Sequence, residues 1–421
     1  MSFKAKQSTQ LVYLDYSAAT PLDAQVFNTM RPFLTSVYGN PSSLHKKGTE
    51  AKEAVEMSRK IIAELINARP EEIIFTSGGT ESCNLAILGL AQSRPKGHII
   101  TTQIEHHAVL EPIKQLEKSG WSATYLPVDG GGFIKIDDVK KAIRKDTRLV
   151  SVMYANNEIG TVQPIIEIGK LLNRFNELRI KDRRLRIIFH TDACQAAGSL
   201  DLNVNRLQVD LMSVSASKIY GPKGAGFLYA RKGFVIHPIL LGGGQERGLR
   251  SGTENMAGIV GMAKAMDLAV KNQDIENSRL IGLRDYCVYK ILRAFPNAIL
   301  NGAPISPKHD GRLPAGEAGQ NLGILEKIKK NNRLPNNINI TIQGVEGEAL
   351  MLYLDAKGIC VSTGSACTTG SSDASHVLMA IGRSEKLSKE SIRITLGRST
   401  TKQEIDYLVD SIKKIYPLTN T

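Results

Sequence analysis

Two stretches of the chain carry side chains that could act together on a phosphate-bearing aldehyde. Lys218 lies in DLMSVSASKIYGPKGAG, between Ser215, Ser217 and a glycine-rich turn. A lysine here can be an ordinary surface residue, but an amine at the end of a buried strand can also form a Schiff base with an aldehyde. Asp192 ends RIIFHTD, where an unpaired carboxylate is costly to bury and must cap a helix or meet a cation.

The glycine turn TSGGTES supplies a candidate phosphate site. Gly78 and Gly79 let the backbone approach a ligand closely, and Thr80 and Ser82 add hydroxyl donors at the start of the helical segment CNLAILGLA. The same residues also fit an ordinary helix cap, and the turn matches no nucleotide signature. A lysine, a carboxylate and a hydroxyl-rich helix start are what pyridoxal 5'-phosphate needs for its aldehyde, ring nitrogen and phosphate.

STGSACTTG, residues 362–370, places the thiol of Cys367 among glycines and hydroxyl residues. The chain has five cysteines, an odd number at wide spacings, which fits neither a disulfide framework nor a zinc ligand set. We therefore interpret Cys367 as a lone thiol and expect no metal site.

These residues need a scaffold, and the sequence predicts an α/β fold. HIITT, RLVSVMY, RIIFHTD and DLMSVSAS are typical of buried strands, whereas TEAKEAVEMSRKIIAELIN repeats apolar residues at helical spacing. Strands separated by helices indicate a mostly parallel central sheet with helices on both faces, whose ligands bind beyond the carboxyl ends of the strands. The segments NINITIQ, GICVS and SIRITL, with intervening helices, predict a smaller α/β domain at the C-terminus.

We expect three parts along the chain. Residues 1–21 form an N-terminal arm associated with the small domain, residues 22–264 form the cofactor-binding large domain, and residues 265–421 form the small domain with the Cys367 loop. The stretch 303–334, rich in Pro, Gly and Lys, has weak periodicity and is interpreted as a surface excursion.

Composition limits the class of protein. The 421 residues are 42% hydrophobic and 23% charged, which is typical of a globular protein. The start, MSFKAKQSTQ, lacks the apolar stretch of a signal peptide, and no apolar run approaches the roughly 20 residues of a membrane span, so we expect a cytoplasmic protein without membrane contact. The net charge of +13 could indicate a nucleic-acid partner, but the basic clusters RIKDRRLR and EKIKKNNR lack interleaved aromatics. A solvated basic surface is the favoured interpretation, and direct nucleic-acid binding is not expected.

Along nearly its whole length the chain resembles the cysteine desulfurases of the NifS/IscS-like group, within the class V aminotransferase family. The resemblance implies the large and small domains of PLP fold type I. It is carried by YLDYSAATP, YGNPSS, FTSGGTESCNLAI, EHHAVL, NNEIGTVQP, HTDACQAAG, KIYGPKG, GGGQERGLRSGT, STGSACT and SIRITLGR. The chain departs from most relatives at Ser217, where they have His before the lysine.

The resemblance implies a role for each candidate residue. Lys218 would form the Schiff base and Asp192 would pair with the pyridine nitrogen. From the residues alone either His106 or His107 could be functional, and the motif favours His106 as a catalytic residue stacked on the ring. The other cofactor contacts would be Gln195 at the ring phenolate oxygen, Asn157 beside cofactor and substrate, Gly79, Thr80, Ser215 and Ser217 at the phosphate, and Thr253 reaching the phosphate from a neighbouring subunit.

The same resemblance implies the reaction and its partners. Arg393, with Asn40 and Asn157, would hold the carboxylate of L-cysteine, although Arg393 could also be a strand-edge residue facing solvent. Cys367 would attack the substrate sulfur and pass the resulting persulfide to an acceptor, either an iron-sulfur scaffold or a tRNA-thiolation enzyme. The enzyme would be a homodimer. A selenocysteine lyase, another class V aminotransferase, or a basic binding protein with an inactive enzyme fold remain alternatives.

Overall fold

The computed structural model describes residues 11–305, 332–363 and 374–419. The strands of these residues are β1 (Val12–Tyr13), β2 (Ile73–Thr76), β3 (His98–Thr102), β4 (Ser122–Leu126), β5 (Thr147–Ser151), β6 (Ile188–Asp192), β7 (Leu211–Ser215), β8 (Gly226–Ala230), β9 (Ile299–Leu300), β10 (Asn337–Thr341), β11 (Ile359–Cys360) and β12 (Ser391–Thr395). Each strand predicted above is present within a few residues of its expected bounds.

The α-helices of the described residues alternate with these strands in the first half of the chain. They are α1 (Ala24–Thr35), α2 (Lys46–Leu65), α3 (Gly79–Asn84), α4 (Leu90–Gln92), α5 (His107–Lys118), α6 (Ile136–Ala142), α7 (Ile165–Lys181), α8 (Val204–Leu207), α9 (Met256–Lys271), α10 (Gln273–Ala294), α11 (Gly347–Ala356), α12 (His376–Ala380), α13 (Glu385–Lys389) and α14 (Lys402–Thr419). A π-helical turn, Leu85–Gly89, joins α3 to α4. Within the described ranges, no helix is long and apolar enough to cross a membrane.

The large sheet has seven strands in the order β2-β8-β7-β6-β5-β3-β4. Strand β8 runs antiparallel to both of its neighbours, and the remaining neighbours are parallel. The predicted mostly parallel sheet is therefore confirmed. Because β3, β5, β6 and β7 run in one direction, the segments that follow them meet at one edge of the sheet.

Apolar side chains cover both faces of this sheet. Along a strand, successive residues point to opposite faces. Accordingly, Val150 and Phe189 belong to one buried cluster, whereas Leu149 and Ile188 belong to another. The first cluster includes residues of α2 and α9, and the second includes residues of α5. Helices therefore pack on both faces, as the sequence predicts.

A third apolar cluster surrounds the antiparallel sheet β12-β10-β9, with residues from α10, α11 and α14. The N-terminal strand joins this part of the chain, because β1 pairs in parallel with β11, and Val12 and Leu14 belong to the same cluster. The predicted domain boundaries stay a prediction.

Candidate active site

A cavity of about 330 Å³ lies beyond the carboxyl ends of the parallel strands. It collects ten of the residues predicted from sequence, which are Gly79, Thr80, His106, Asn157, Asp192, Gln195, Ser215, Ser217, Lys218 and Arg393. Among the described residues, no group of three or more His, Cys, Asp or Glu side chains could hold a metal ion. An amine, a carboxylate, a guanidinium and several hydroxyls therefore lie around one cavity.

Lys218 ends a 3-10 turn, Ala216–Lys218, that follows β7 directly. The turn carries the half-buried side chain away from the sheet and towards the N-terminal segment. Its Nζ atom donates hydrogen bonds to the carbonyl oxygens of Ser17 at 2.8 Å and Ala18 at 2.6 Å. The amine is therefore fixed at the cavity wall by backbone acceptors.

Asp192 is the last residue of β6, and its side chain is buried beside the cavity. Its Oδ1 atom accepts a hydrogen bond from the backbone N–H of Cys194 at 2.9 Å. The carboxylate therefore caps the turn after the strand, and it also lines the cavity that Lys218 lines. Burial beside a polar cavity suits a carboxylate whose partner is a protonated ring nitrogen.

The glycine turn packs closely against the sheet. Gly78 has a φ of +148°, and a Cβ atom on Gly226 would lie 2.7 Å from the Cα atom of Gly78. Helix α3 begins at Gly79, so its first N–H groups face the cavity end of the turn. Ser82, predicted to add a hydroxyl donor, does not: it is fully buried, and its Oγ atom bonds to the Gly78 carbonyl at 3.0 Å.

Two serine side chains lie beside this turn, those of Ser215 and Ser217. The Oγ atoms of Ser215 and Ser217 lie 3.0 Å apart, and both residues line the cavity. The pair retains two hydroxyl donors for a phosphate, but it adds no group that titrates near neutral pH.

His106 caps the N-terminus of α5, and its Nδ1 atom accepts a hydrogen bond from the backbone N–H of Ala108 at 3.1 Å. Because Nδ1 is an acceptor, the ring proton of the neutral form resides on Nε2. Burial lowers the pKa of His106 below its ordinary value of 6.5, and the nearby Lys218 also lowers it. His107 does not line the cavity, so the choice of His106 over His107 agrees with the geometry.

Arg393 lies on β12 and its side chain is only 3% exposed, so it does not face solvent from a strand edge. Its Nη2 atom donates to Oδ1 of Asp15 at 2.8 Å, and its Nη1 atom lies 3.4 Å from the carbonyl oxygen of Asn157. Both Arg393 and Asn157 line the cavity. A guanidinium in this setting can bind a carboxylate.

Two of the predicted site residues that the structure describes are not brought to this cavity. Asn40 is exposed between α1 and α2, where its Oδ1 atom accepts a hydrogen bond from the backbone N–H of Ser42 at 2.9 Å. Thr253 is also exposed and away from the cavity lining. Cys367 lies outside the described residues. The roles of these three residues stay predictions.

Several groups that contribute to the cavity were not predicted from the sequence. The carbonyl oxygen of Ser17 accepts from Nε2 of Gln195 at 3.0 Å as well as from Lys218, and Asp15 pairs with Arg393. All come from YLDYSAATP, a motif that carried the resemblance without an assigned role. Cys194 also lines the cavity; it is buried, and burial raises the pKa of its thiol far above the ordinary value.

The donor set fits pyridoxal 5'-phosphate. Lys218 could hold the aldehyde, Asp192 the ring nitrogen, and Ser215, Ser217 and the start of α3 the phosphate. Gly79 lines the cavity without a side chain, so the N–H groups at the start of α3 can approach a phosphate closely, which supports this fit.

Residues 12–308 and 318–408 match the family model described as aminotransferase class-V. The chain therefore belongs to the class-V aminotransferase family. One relative, named cysteine desulfurase IscS, from Dictyoglomus turgidum, is 49% identical over 406 residues, which cover 96% of this chain and 94% of the relative.

Solved structures agree with this assignment. A protein named NifS-like protein is 36% identical and superposes with a TM-score of 0.84, covering 97% of this chain and 100% of its own. A structure of SspA in complex with cysteine is 34% identical, with a TM-score of 0.69, and covers 91% of this chain and 98% of its own. The predicted family and fold are thus confirmed.

Proposed function

We propose that this protein is a pyridoxal phosphate-dependent cysteine desulfurase, which converts L-cysteine to L-alanine and keeps the sulfur as a persulfide on Cys367. The observation that carries the proposal is the convergence of Lys218, Asp192 and Arg393 on one cavity. An amine, a buried acid and a guanidinium are the groups that this cofactor and an α-amino acid together require. Similarity to a named cysteine desulfurase and to a cysteine-bound structure supports the choice of substrate.

Some residues of the cavity would bind the cofactor, and others would act on the substrate. Lys218 and Asp192 would hold the two ends of the cofactor ring, while Ser215 and Ser217 would hold its phosphate. When bound, the cofactor supplies an electron sink for the charge that forms at the substrate α-carbon. Nζ of Lys218, once it is no longer bonded to the aldehyde, would be the base that accepts the α-proton, because it lies at the cavity wall.

Arg393 orients the substrate, and His106 provides a proton. The guanidinium of Arg393 binds the carboxylate, with Asn157 beside it, and so directs the rest of the amino acid towards Lys218. His106 is neutral with its proton on Nε2, so it can hold or donate a proton at that atom. Asn40 as a second carboxylate ligand stays a prediction.

Sulfur transfer belongs to Cys367. Its thiolate forms a bond to the substrate sulfur while the bond between that sulfur and the substrate β-carbon breaks. The carbon skeleton takes up protons and leaves as alanine, so cysteine plus a protein thiol give alanine plus a protein persulfide. The outer sulfur is then available to an acceptor protein of iron-sulfur cluster assembly or tRNA thiolation.

We also propose a homodimer and a cytoplasmic location. The exposure of Thr253 supports the dimer, because a residue that completes the partner's phosphate site must lie at the surface of its own chain. The sequence offers no aromatic-rich basic surface for nucleic acid, so the acceptor is proposed to be a protein.

The test is a sulfur balance. Purified protein is incubated with L-cysteine, alanine is quantified, and the persulfide is mapped by mass spectrometry. We expect alanine and a persulfide on Cys367, both absent in Cys367→Ala. Cys360→Ala is the matched control, since Cys360 is a half-buried free thiol on β11 and should leave both signals unchanged.

The other outcomes identify the alternatives. Alanine release that persists in Cys367→Ala would contradict the desulfurase mechanism and favour a lyase, whereas conversion of cysteine to its keto acid without alanine would favour an aminotransferase. Absence of both alanine and a visible cofactor absorption that depends on Lys218 would indicate an inactive fold that serves as a binding protein.

A further inference from the structure

The N-terminal segment, residues 12–20, supplies polar groups to the wall of the cavity. Its Ser17 and Ala18 carbonyls hold Lys218, and its Asp15 carboxylate holds Arg393. We propose that Asp15 is a positioning residue for the substrate carboxylate, acting through Arg393. The proposal rests on the proposed function, in which Arg393 binds the carboxylate of L-cysteine.

Among the described residues, the guanidinium of Arg393 has few hydrogen-bond partners. Nη2 donates to Oδ1 of Asp15 at 2.8 Å, and Nη1 has a long contact of 3.4 Å to the Asn157 carbonyl. Nε is buried without a hydrogen-bond partner in the part of the chain that the structure describes. Because a guanidinium has five N–H donors, this arrangement fixes its plane and leaves donors for a bound carboxylate.

Asp15 is itself held by the strand that carries Arg393. The backbone N–H of Thr395, two residues after Arg393, donates to the carbonyl of Leu14 at 2.8 Å, and Asp15 pairs with Thr395 in an isolated β-bridge. The hydroxyl of Tyr13 donates to the Asp15 carbonyl at 3.0 Å. Both members of the ion pair are therefore anchored to one backbone frame, so their relative position varies little.

A competing carboxylate shows why Asp15 matters for orientation. Glu158 is buried near Arg393, whose charge acts to lower the pKa of Glu158 against the effect of burial. The hydroxyl of Ser375 donates to Oε2 of Glu158 at 2.5 Å. If Asp15 lost its carboxylate, the buried guanidinium would turn towards Glu158 or Asn157, and its remaining donors would no longer match the substrate.

The alternative is a purely structural ion pair that ties the N-terminal segment to β12. The chain contains a matched example, because Nη1 of Arg398 donates to Oδ2 of Asp23 at 2.8 Å in a partly buried setting. Neither Asp23 nor Arg398 lines the cavity that Arg393 lines, although Arg398 lines a second cavity that Lys218 also borders. Asp23→Asn therefore reports the effect of weakening such a pair without the proposed effect on substrate.

The experiment compares the steady-state kinetics of Asp15→Asn, Asp15→Ala and Asp23→Asn with those of the wild type. For Asp15→Ala we expect about a tenfold rise in KM for L-cysteine, with kcat changed far less, because misorientation of a binding group weakens substrate capture. The KM of Asp15→Asn should lie between those of the wild type and Asp15→Ala, because the asparagine amide oxygen can still accept a hydrogen bond from Nη2 of Arg393. Asp23→Asn should leave KM unchanged.

Two competitive inhibitors make the test specific for the carboxylate. The inhibition constant of L-alanine should rise with KM in the Asp15 variants, whereas that of L-alaninamide, which lacks the carboxylate, should not. An unchanged or lower KM and L-alanine constant in both folded Asp15 variants would overturn the proposal. If Asp15→Ala does not fold, the KM and the L-alanine inhibition constant of Asp15→Asn decide whether the proposal holds. Failure of the wild type to release alanine would instead refute the proposed function.

Discussion

Gly79 packs against Cys194 so closely that a Cβ atom on Gly79 would lie 2.5 Å from the Cys194 Sγ atom. Gly79 begins α3, and Cys194 lies two residues after Asp192 at the end of β6. This contact joins the turn proposed for the phosphate to the turn proposed for the ring nitrogen. The spacing between the two ends of the cofactor site therefore depends on the absence of a side chain at one residue.

Gly79→Ala should weaken cofactor retention. The added methyl group must displace either Cys194 or the start of α3, and both movements change the distance between phosphate and ring contacts. We expect at least about a tenfold loss of cofactor affinity, as for other misplaced binding groups. Visible absorbance after equilibrium dialysis against graded cofactor concentrations measures it.

Removing the Cys194 thiol should restore the cofactor affinity that Gly79→Ala loses. In Gly79→Ala/Cys194→Ala the clash disappears, so affinity should recover most of the way to that of Cys194→Ala alone. Gly282→Ala is the control, since a Cβ atom there meets nothing within 4 Å. A double variant as weak as Gly79→Ala would show that the contact is not the cause.

His106 should act as a neutral residue with a proton on Nε2. Its pKa lies below 6.5 because of burial, so the ring stays uncharged at pH 7. His106→Gln should lower kcat by about a hundredfold, the lower range for loss of a proton-transferring group. Activity assays and ¹⁵N NMR of the imidazole test these two expectations.

His107→Gln is the companion variant, because His107 is next in sequence but lies outside the cavity lining and 3.7 Å from Glu111. It should retain near wild-type kcat. Equal losses in both variants, or an NMR titration of His106 above pH 6.5, would contradict the assignment.

Glu105 should make stability depend on pH. Burial raises its pKa from 4.5 to about 8. Because the folded state raises this pKa, the contribution to stability is fully present below about pH 4.5 and is lost as pH rises through about 8. The free energy of unfolding should therefore fall across this range in the wild type, as measured by urea denaturation.

Glu105→Gln mimics the protonated acid and should flatten that dependence. Its amide oxygen can still accept from the backbone N–H of Met153 and the hydroxyl of Thr102, as Oε1 of Glu105 does. Glu64→Gln, at a side chain 67% exposed, should leave the curve unchanged. An identical curve for Glu105→Gln and the wild type would show that Glu105 is ionised in the folded protein at neutral pH.

Arg59 and Glu246 form a buried bidentate ion pair, with distances of 2.7 and 2.8 Å and side chains 3% and 2% exposed. Arg59→Met leaves the Glu246 carboxylate buried with its backbone donor from Phe75 but without a counter-ion. The free energy of unfolding should fall by about 3 kcal/mol or more, as when other buried pairs lose one partner. Urea denaturation measures this change.

Lys60→Met is the neighbouring control, because Lys60 and Glu64 are 3.9 Å apart and more than 60% exposed. Such pairs contribute at most about 1 kcal/mol. A similar loss in both variants would mean that Arg59 acts through α2 itself rather than through Glu246.

Local patterns predicted the scaffold well. The period of TEAKEAVEMSRKIIAELIN places Ala51, Val55 and Ile62 on one face, and all three are buried. The strands ending near Asp192 and Ser215 were predicted because short buried strands are rich in Ile and Val and must meet at one sheet edge. That rule also brought Lys218 and Asp192 to the same cavity.

The sequence failed where a functional contact has no side-chain signature. The backbone carbonyls of Ser17 and Ala18 accept hydrogen bonds from Lys218. Because every residue has such a carbonyl, the amino-acid sequence does not indicate which ones contact the lysine. Ser82 was predicted to face a ligand because hydroxyls at a helix start can point outward or back. Its actual bond to the Gly78 carbonyl depends on packing against β2.

The sequence by itself determined the family, the parallel sheet and the identity of most cavity residues, because periodicity and motif chemistry are properties of short segments. Tertiary structure alone decided which distant groups meet. Asp15 and Arg393 are 378 residues apart in the chain. Their ion pair forms because the N-terminal segment pairs with β12, and a contact created by such long-range pairing leaves no mark in local sequence.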